Sequence, residues 1–170
     1  MFELRTVRGE DAESAHCIIV ECGQDMASIG YTHWTDPYPL DRFIDDAERN
    51  NVYALFLRDR IIATVSIFDR PPEHVNPAMW PNAHEPEIYV ARLAVRPAYQ
   101  SQGYGRLLMH FSEVTARALG LSWVRLATVA TYPPIRRFYQ RLGYSECGSY
   151  PLFRFEVVAY EKQVTAANHL

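Results

Sequence analysis

The stretch "EIYVARLAVRPAYQSQGYGRLLM", residues 87–109, constrains this chain more than any other. Its first nine residues, rich in β-branched and aromatic side chains, read as a buried strand (87–95). The apolar periodicity from Leu107 onward reads as a helix over about 103–119. Between them stand two glycines and Arg106, where a helix would ordinarily open on Ser, Thr, Asp or Asn. A cation at that end opposes the helix dipole, so the turn is suited to a negative partner. Free N–H groups at a helix start converge on one spot, and glycine lets an anion approach the backbone closely. The competing reading is purely structural: glycines that permit tight strand-to-helix packing. A dinucleotide fingerprint G-x-G-x-x-G is excluded, because position 108 is Leu.

Other elements fall into place around this centre. "FELRTV" alternates as a first strand, and residues 9–22 read as a helix with Ala12, Ala15, Ile18, Ile19 and Cys22 near one face. Residues 23–40 read as an aromatic loop, followed by a short helix "LDRFIDDAERN" capped by Asp41. Two β-rich runs around Arg58-Asp59-Arg60 predict a hairpin. Five prolines make residues 69–86 a loop. On the helix after the glycines, Leu107, Leu108, Phe111, Val114 and Ala118 form the expected core stripe. A strand at about 122–129, a helix at about 133–142 and a last strand pair from about 144 to 161 complete the chain. The expectation is a mixed α/β (α+β) sheet covered by helices, in one domain over residues 1–163 with a disordered tail at 164–170.

Composition narrows the function. A hydrophobic share of 48% with 22% charged residues suits a soluble globular domain, and no apolar run approaches the ~20 residues of a membrane span. Charges in "MFELRTVRGED" stand where a signal peptide needs apolar residues, which predicts a cytoplasmic protein. Cys17, Cys22 and Cys147 lack ligand spacing, and the six histidines are scattered, so no metal is expected. Residues 92–141 carry eight arginines, no lysine and one acid, while the remainder holds 9 basic and 19 acidic residues. Arginine suits bidentate phosphate binding. Salt bridges to the acidic remainder explain the same count. A nucleic-acid surface is disfavoured by the net charge of −3 and the absence of a nucleic-acid motif.

"LAVRPAYQSQGYGRLLM" resembles the acyl-CoA-binding segment of the GNAT superfamily of N-acyltransferases, Gln/Arg-x-x-Gly-x-Gly/Ala after a V-x-P strand exit, through Val95, Pro97, Gln100, Gly103 and Gly105. About thirty residues on, "YPPIRRFYQRLGY" is similar to the family's second motif, with Phe138, Tyr139, Gly143 and Tyr144 in place, Tyr132 where the family has Asn, and Ile135 where it has Ala. The resemblance spans about residues 2–162. It implies a mixed, mostly antiparallel central sheet, splayed at the cofactor strand, with about four helices packed on both faces.

The resemblance also implies acetyl-CoA (an acyl-CoA) as co-substrate and transfer of the acetyl group to a primary amine by direct attack in a ternary complex. The alternative is a non-catalytic acyl-CoA-binding regulatory domain. By resemblance, the pantetheine arm would lie along Leu93, Ala94 and Val95, and the N–H groups of Gln102, Gly103, Tyr104, Gly105 and Arg106 would hold the pyrophosphate, with Gln100, Ser101, Tyr132 and Arg137 as further cofactor contacts. Tyr139 matches the family's general acid, although a buried core tyrosine is the plain reading. Glu87 is the candidate base, with Glu85 second, and a structural role at the strand's start is equally open. Alternation puts Glu87, Tyr89 and Ala91 on one face. Tyr31, His33, Trp34, Tyr38, Trp80 and Tyr89 are candidate acceptor contacts, or the packing that fastens the loops. The acceptor is expected to be a small-molecule or peptide amine, cationic given the acidic remainder, with no nucleic acid or membrane partner. The last strand offers an edge for a homodimer.

Overall fold

The computed structural model describes residues 1–73, 75–81 and 86–164. Among them, seven strands form one sheet: β1 (Phe2–Thr6), β2 (Val52–Leu57), β3 (Arg60–Phe68), β4 (Glu87–Val95), β5 (Trp123–Val129), β6 (Ser145–Leu152) and β7 (Phe155–Gln163). Four α-helices accompany it: α1 (Asp11–Ser28), α2 (Leu40–Glu48), α3 (Tyr104–Ala118) and α4 (Pro133–Arg141). The strand order is β1-β2-β3-β4-β5-β7-β6. The β1–β2, β2–β3, β5–β7 and β6–β7 pairs are antiparallel, and β4–β5 is parallel. This is the mixed, mostly antiparallel sheet with four helices expected from the sequence.

The chain divides into two compact units. One comprises Met1–Ile67 and Arg92–Met109, the other Phe68–Ala91 and His110–Leu170, so β4 and α3 each run from one unit into the other. In the first unit, Ala12, Ala15, Ile18, Ile19 and Cys22 of α1 pack with Phe43 and Ala47 of α2 and with the hairpin residues Val52, Ala54, Phe56 and Ile61. The i, i+3, i+4 spacing in α1 predicts this contact and the structure supplies it. Leu57 pairs with Arg60, leaving a two-residue hairpin turn in which Arg58 takes a φ of +57°.

Several local expectations change. Helix α1 continues six residues beyond Cys22 into the segment expected to be loop, because Gly23 is a contact point rather than a breaker. A Cβ there would collide with the Trp34 carbonyl, so glycine admits the aromatic loop against the helix. Asp41 does not cap α2. Pro39 holds that position, and Asp41 lies in the first turn, where its charge favours the helix dipole.

The buried face of α3 is Leu108, Met109, Ser112, Glu113 and Ala116, whereas Leu107 and Val114 are each 44% exposed. The apolar stripe is therefore rotated from the expected one. Glu113 is tolerated inside because Lys162, the chain's single lysine, donates to its Oε1 at 2.9 Å and the Tyr144 hydroxyl donates to it at 3.2 Å. Lys162 also donates to the Leu142 carbonyl at 2.8 Å. Val164, placed in the tail by the sequence, is buried and its N–H bonds the Ser122 carbonyl at 2.8 Å; residues 165–170 lie outside the described residues.

Candidate active site

The glycine turn has the form of an anion cradle. Leu107 N–H bonds Gly103 O at 3.0 Å, so the N–H groups of Tyr104, Gly105 and Arg106 precede the helix ladder and have no intrahelical acceptor. Ser101 and Gly103 both take left-handed backbone conformations, with φ of +61° and +91°, as the chain enters the helix. Nothing lies within 4 Å of where a Gly103 Cβ would project. The space is open, and Gly103 and Arg106 are exposed. A diphosphate fits these donors: free N–H groups, a helix start and a nearby guanidinium. Gln100 and Gln102 spend their side chains elsewhere. Gln102 Nε2 donates to Ala98 O at 3.3 Å, and Gln100 Nε2 donates to Val95 O at 2.9 Å. The Cys22 thiol donates to the same Val95 carbonyl at 3.1 Å. Gln100 thus braces the exit of β4 with its side chain.

Strand β4 is irregular where the arm-binding residues were expected. Arg92, directly before Leu93, Ala94 and Val95, has a φ of +51°, a conformation that costs a non-glycine residue about 1–3 kcal/mol. Parallel pairing between β4 and β5 covers Glu87–Tyr89 against Trp123–Arg125, although β4 runs on to Val95 and β5 to Val129. Ala94 is buried, and Leu93 and Val95 are half-buried.

The loop after α1 packs within the first unit. Tyr31 bonds the Met26 carbonyl through its N–H at 3.0 Å, and His33 and Trp34 meet edge-on with ring centroids 6.4 Å apart. Burial lowers the pKa of His33, which keeps the imidazole neutral at pH 7. His16 Nε2 lies 2.6 Å from the Tyr38 carbonyl oxygen, so that nitrogen carries the proton. Tyr31, His33, Trp34 and Tyr38 are all half-buried and come from one loop.

In the second unit, Tyr139 is buried on α4 among Phe138, Tyr144 and Tyr160, with ring centroids 5.0, 5.9 and 5.9 Å away. Burial pushes its hydroxyl pKa well above 10, so it holds its proton throughout the neutral range. Tyr132, the N-cap residue of α4, is half-buried with no side-chain capping bond. Arg137 is exposed.

Three expected site residues take other duties. Trp80 is 2% exposed, stacks edge-on against Tyr89 at 5.5 Å and donates its indole N–H to Tyr160 O at 2.9 Å. It packs in the core with Tyr89 and Ala159. Tyr89 is equally buried, its hydroxyl pKa pushed up to about 12 by burial, and it donates to Glu87. Glu87 also pairs with Arg125, which is 0% exposed and pairs with Glu161 at 3.3 Å. Glu87 and Tyr89 do share a face, as alternation requires, yet the Glu87 carboxylate is occupied by a buried cation and a phenol. Glu85 lies outside the described residues.

The arginine excess resolves similarly. Arg92, Arg96, Arg117, Arg125 and Arg136 pair with Asp46, Glu21, Glu113, Glu87 and Glu146 respectively. Arg106, Arg137 and Arg141 have no ion-pair partner among the described residues and are exposed. The sequence reading missed Arg92 and Arg125 as individual residues, since a count of arginines does not separate the braced from the free.

Comparison with known proteins agrees with this arrangement. Residues 19–144 match the acetyltransferase (GNAT) family. The chain is 27% identical over 158 residues to the uncharacterized N-acetyltransferase YesJ of Bacillus subtilis, covering 88% of this chain and 87% of that protein. Its fold superposes on a GNAT-family acetyltransferase of Listeria monocytogenes with a TM-score of 0.79 at 16% identity, covering 95% of this chain and 94% of the other. It likewise matches the PaiA N-acetyltransferase of Thermoplasma acidophilum, solved in complex with coenzyme A, with a TM-score of 0.75 at 15% identity over 96% and 99% of the two chains. The ribosomal-protein-S18-alanine N-acetyltransferase of Escherichia coli gives 0.71 at 18% identity, over 100% and 99%. With a cradle at the start of α3, a short β4–β5 pairing and this family match over most of its length, the chain belongs to the GNAT acetyltransferase family.

Proposed function

We propose that this protein transfers an acetyl group from acetyl-CoA to a primary amine by direct attack. The observation that carries the reading is the glycine turn, whose free amides at Tyr104, Gly105 and Arg106 suit a pyrophosphate. Acetyl-CoA supplies the activated thioester. In this reading the backbone near Leu93 and Val95 holds the pantetheine arm and donates to the thioester oxygen. The amine lone pair forms a bond to the acyl carbon, the C–S bond breaks, and Tyr139 offers its proton to the departing sulfur. Burial keeps that proton in place and also makes Tyr139 a weaker acid, so part of its effect is a hydrogen bond to the developing thiolate. With Glu87 held by Arg125 and Tyr89, the amine loses its proton to solvent, and Tyr139 regains one from solvent before the next turnover.

The acceptor side favours a cation. From Glu10 to Glu48 the chain carries ten acids and one arginine. Glu10, Glu13, Asp25, Asp36, Asp41, Asp45 and Glu48 are exposed and lack an ion-pair partner among the described residues. Such a field concentrates polyamines or basic peptides. The test is release of free thiol from acetyl-CoA across a panel of spermidine, lysine-rich peptide and single amino acids. Turnover with one of these, reduced about 100-fold in Tyr139→Phe while acetyl-CoA affinity by calorimetry stays within twofold, is the expected result. Calorimetric binding without thiol release from any amine would instead favour a non-catalytic binder.

A further inference from the structure

Arg92 occupies a backbone conformation that a β-strand does not need and a long side chain does not favour. What it gains is reach. Its side chain is 10% exposed, and its guanidinium lies 3.9 Å from the centroid of the Tyr38 ring and donates to Asp46 Oδ2 at 2.7 Å. Tyr38 closes the loop after α1, and Asp46 sits on α2. The loop is tied down twice more in the same unit, by His16 at the Tyr38 carbonyl and by Gly23 against Trp34. Neither of those ties touches β4. Arg92 alone among the three joins the loop to the strand, and the next residues along that strand are Leu93, Ala94 and Val95.

We propose that Arg92 is a positioning residue that couples the acceptor-side loop, residues 31–38, to the acyl-CoA strand, so that the loop is ordered when Leu93–Val95 are engaged. This rests on the acyl-CoA reading given above. The physical basis is that a residue at positive φ is held by what surrounds it. Fixing the amides that follow it narrows the backbone freedom of Arg92, and its guanidinium passes that restriction to Tyr38 and Asp46. Arginine suits the task because one planar group lies over a ring and donates to a carboxylate at once, which the point charge of lysine matches poorly.

Amide hydrogen exchange with and without coenzyme A tests the coupling. In the wild type, coenzyme A is expected to slow exchange at residues 100–106 and, about tenfold, at residues 31–38. In Arg92→Met the protection at 100–106 persists and that at 31–38 disappears, with Arg92→Lys close to Arg92→Met because it keeps charge without the planar group over the Tyr38 ring. Should Arg92→Met fail to fold, Tyr38→Ala removes the same link from the loop side and is read identically. Undiminished protection of 31–38 in the variants, or none there in the wild type while 100–106 is protected, overturns the coupling. Absence of protection at 100–106 in the wild type overturns the acyl-CoA reading itself, and the coupling with it.

Discussion

At the scale of single residues, burial decides which side chains do chemistry and which hold the frame. Glu87 is bound to Arg125 and Tyr89, so Glu87→Gln is expected to lower stability by about 1–3 kcal/mol in denaturant titration and to leave the pH–rate profile unchanged. An altered acid limb in that profile would make Glu87 the base after all. Cys22, whose thiol bonds the β4 carbonyl, has its pKa raised by burial to about 11 from an ordinary 9.0. The native state holds this proton more tightly than the unfolded chain, so stability falls as pH rises from 9 to 11. That slope amounts to about 3 kcal/mol from this one group. Thermal or urea unfolding of Cys22→Ala across the same range should be flatter by that amount; an identical slope would show that the thiol does not titrate with folding. None of these duties was legible beforehand, because Glu87, Cys22 and Arg92 look like an edge acid, a core thiol and one arginine of many until their neighbours are known.

Elements were far more legible. The glycine turn, the hairpin around Arg58 and the strand–helix–strand succession after Glu87 are set by local chemistry, and each stands where the sequence puts it. The misreadings share one cause, which is that a tertiary neighbour overrode a local signal. Gly23 reads as a breaker until Trp34 packs on it, and Leu107 and Val114 read as core until Lys162 holds Glu113 on the buried face instead. The turn itself predicts a clean separation of binding from folding. Arg106 is exposed and without an ion-pair partner among the described residues, so Arg106→Ala is expected to weaken acetyl-CoA binding about 5–20-fold by calorimetry and to shift the melting temperature hardly at all. Equal affinity in the variant would remove Arg106 from the cradle.

Over the whole molecule, charge is sorted by task. Most of the arginines between Arg92 and Arg141 brace the fold, and the exposed acids from Glu10 to Glu48 stay unneutralised. Attraction of a polycation to such a surface is screened over a Debye length of about 10 Å at 0.1 M salt. For spermidine, kcat/KM is therefore expected to fall several-fold between about 20 and 300 mM salt, with a much shallower change for a neutral-chain amine such as benzylamine. Parallel slopes would count against the acidic surface as the acceptor's guide. Of all the side chains, only Lys162 ends in a primary amine, and it is clamped between Glu113 and the Leu142 carbonyl. On the proposed reading, acetyl-CoA therefore meets no freely held lysine on this protein, and Cys17 is the exposed thiol among the described residues. Mass spectrometry after incubation with acetyl-CoA should accordingly find no acetyl group on Lys162.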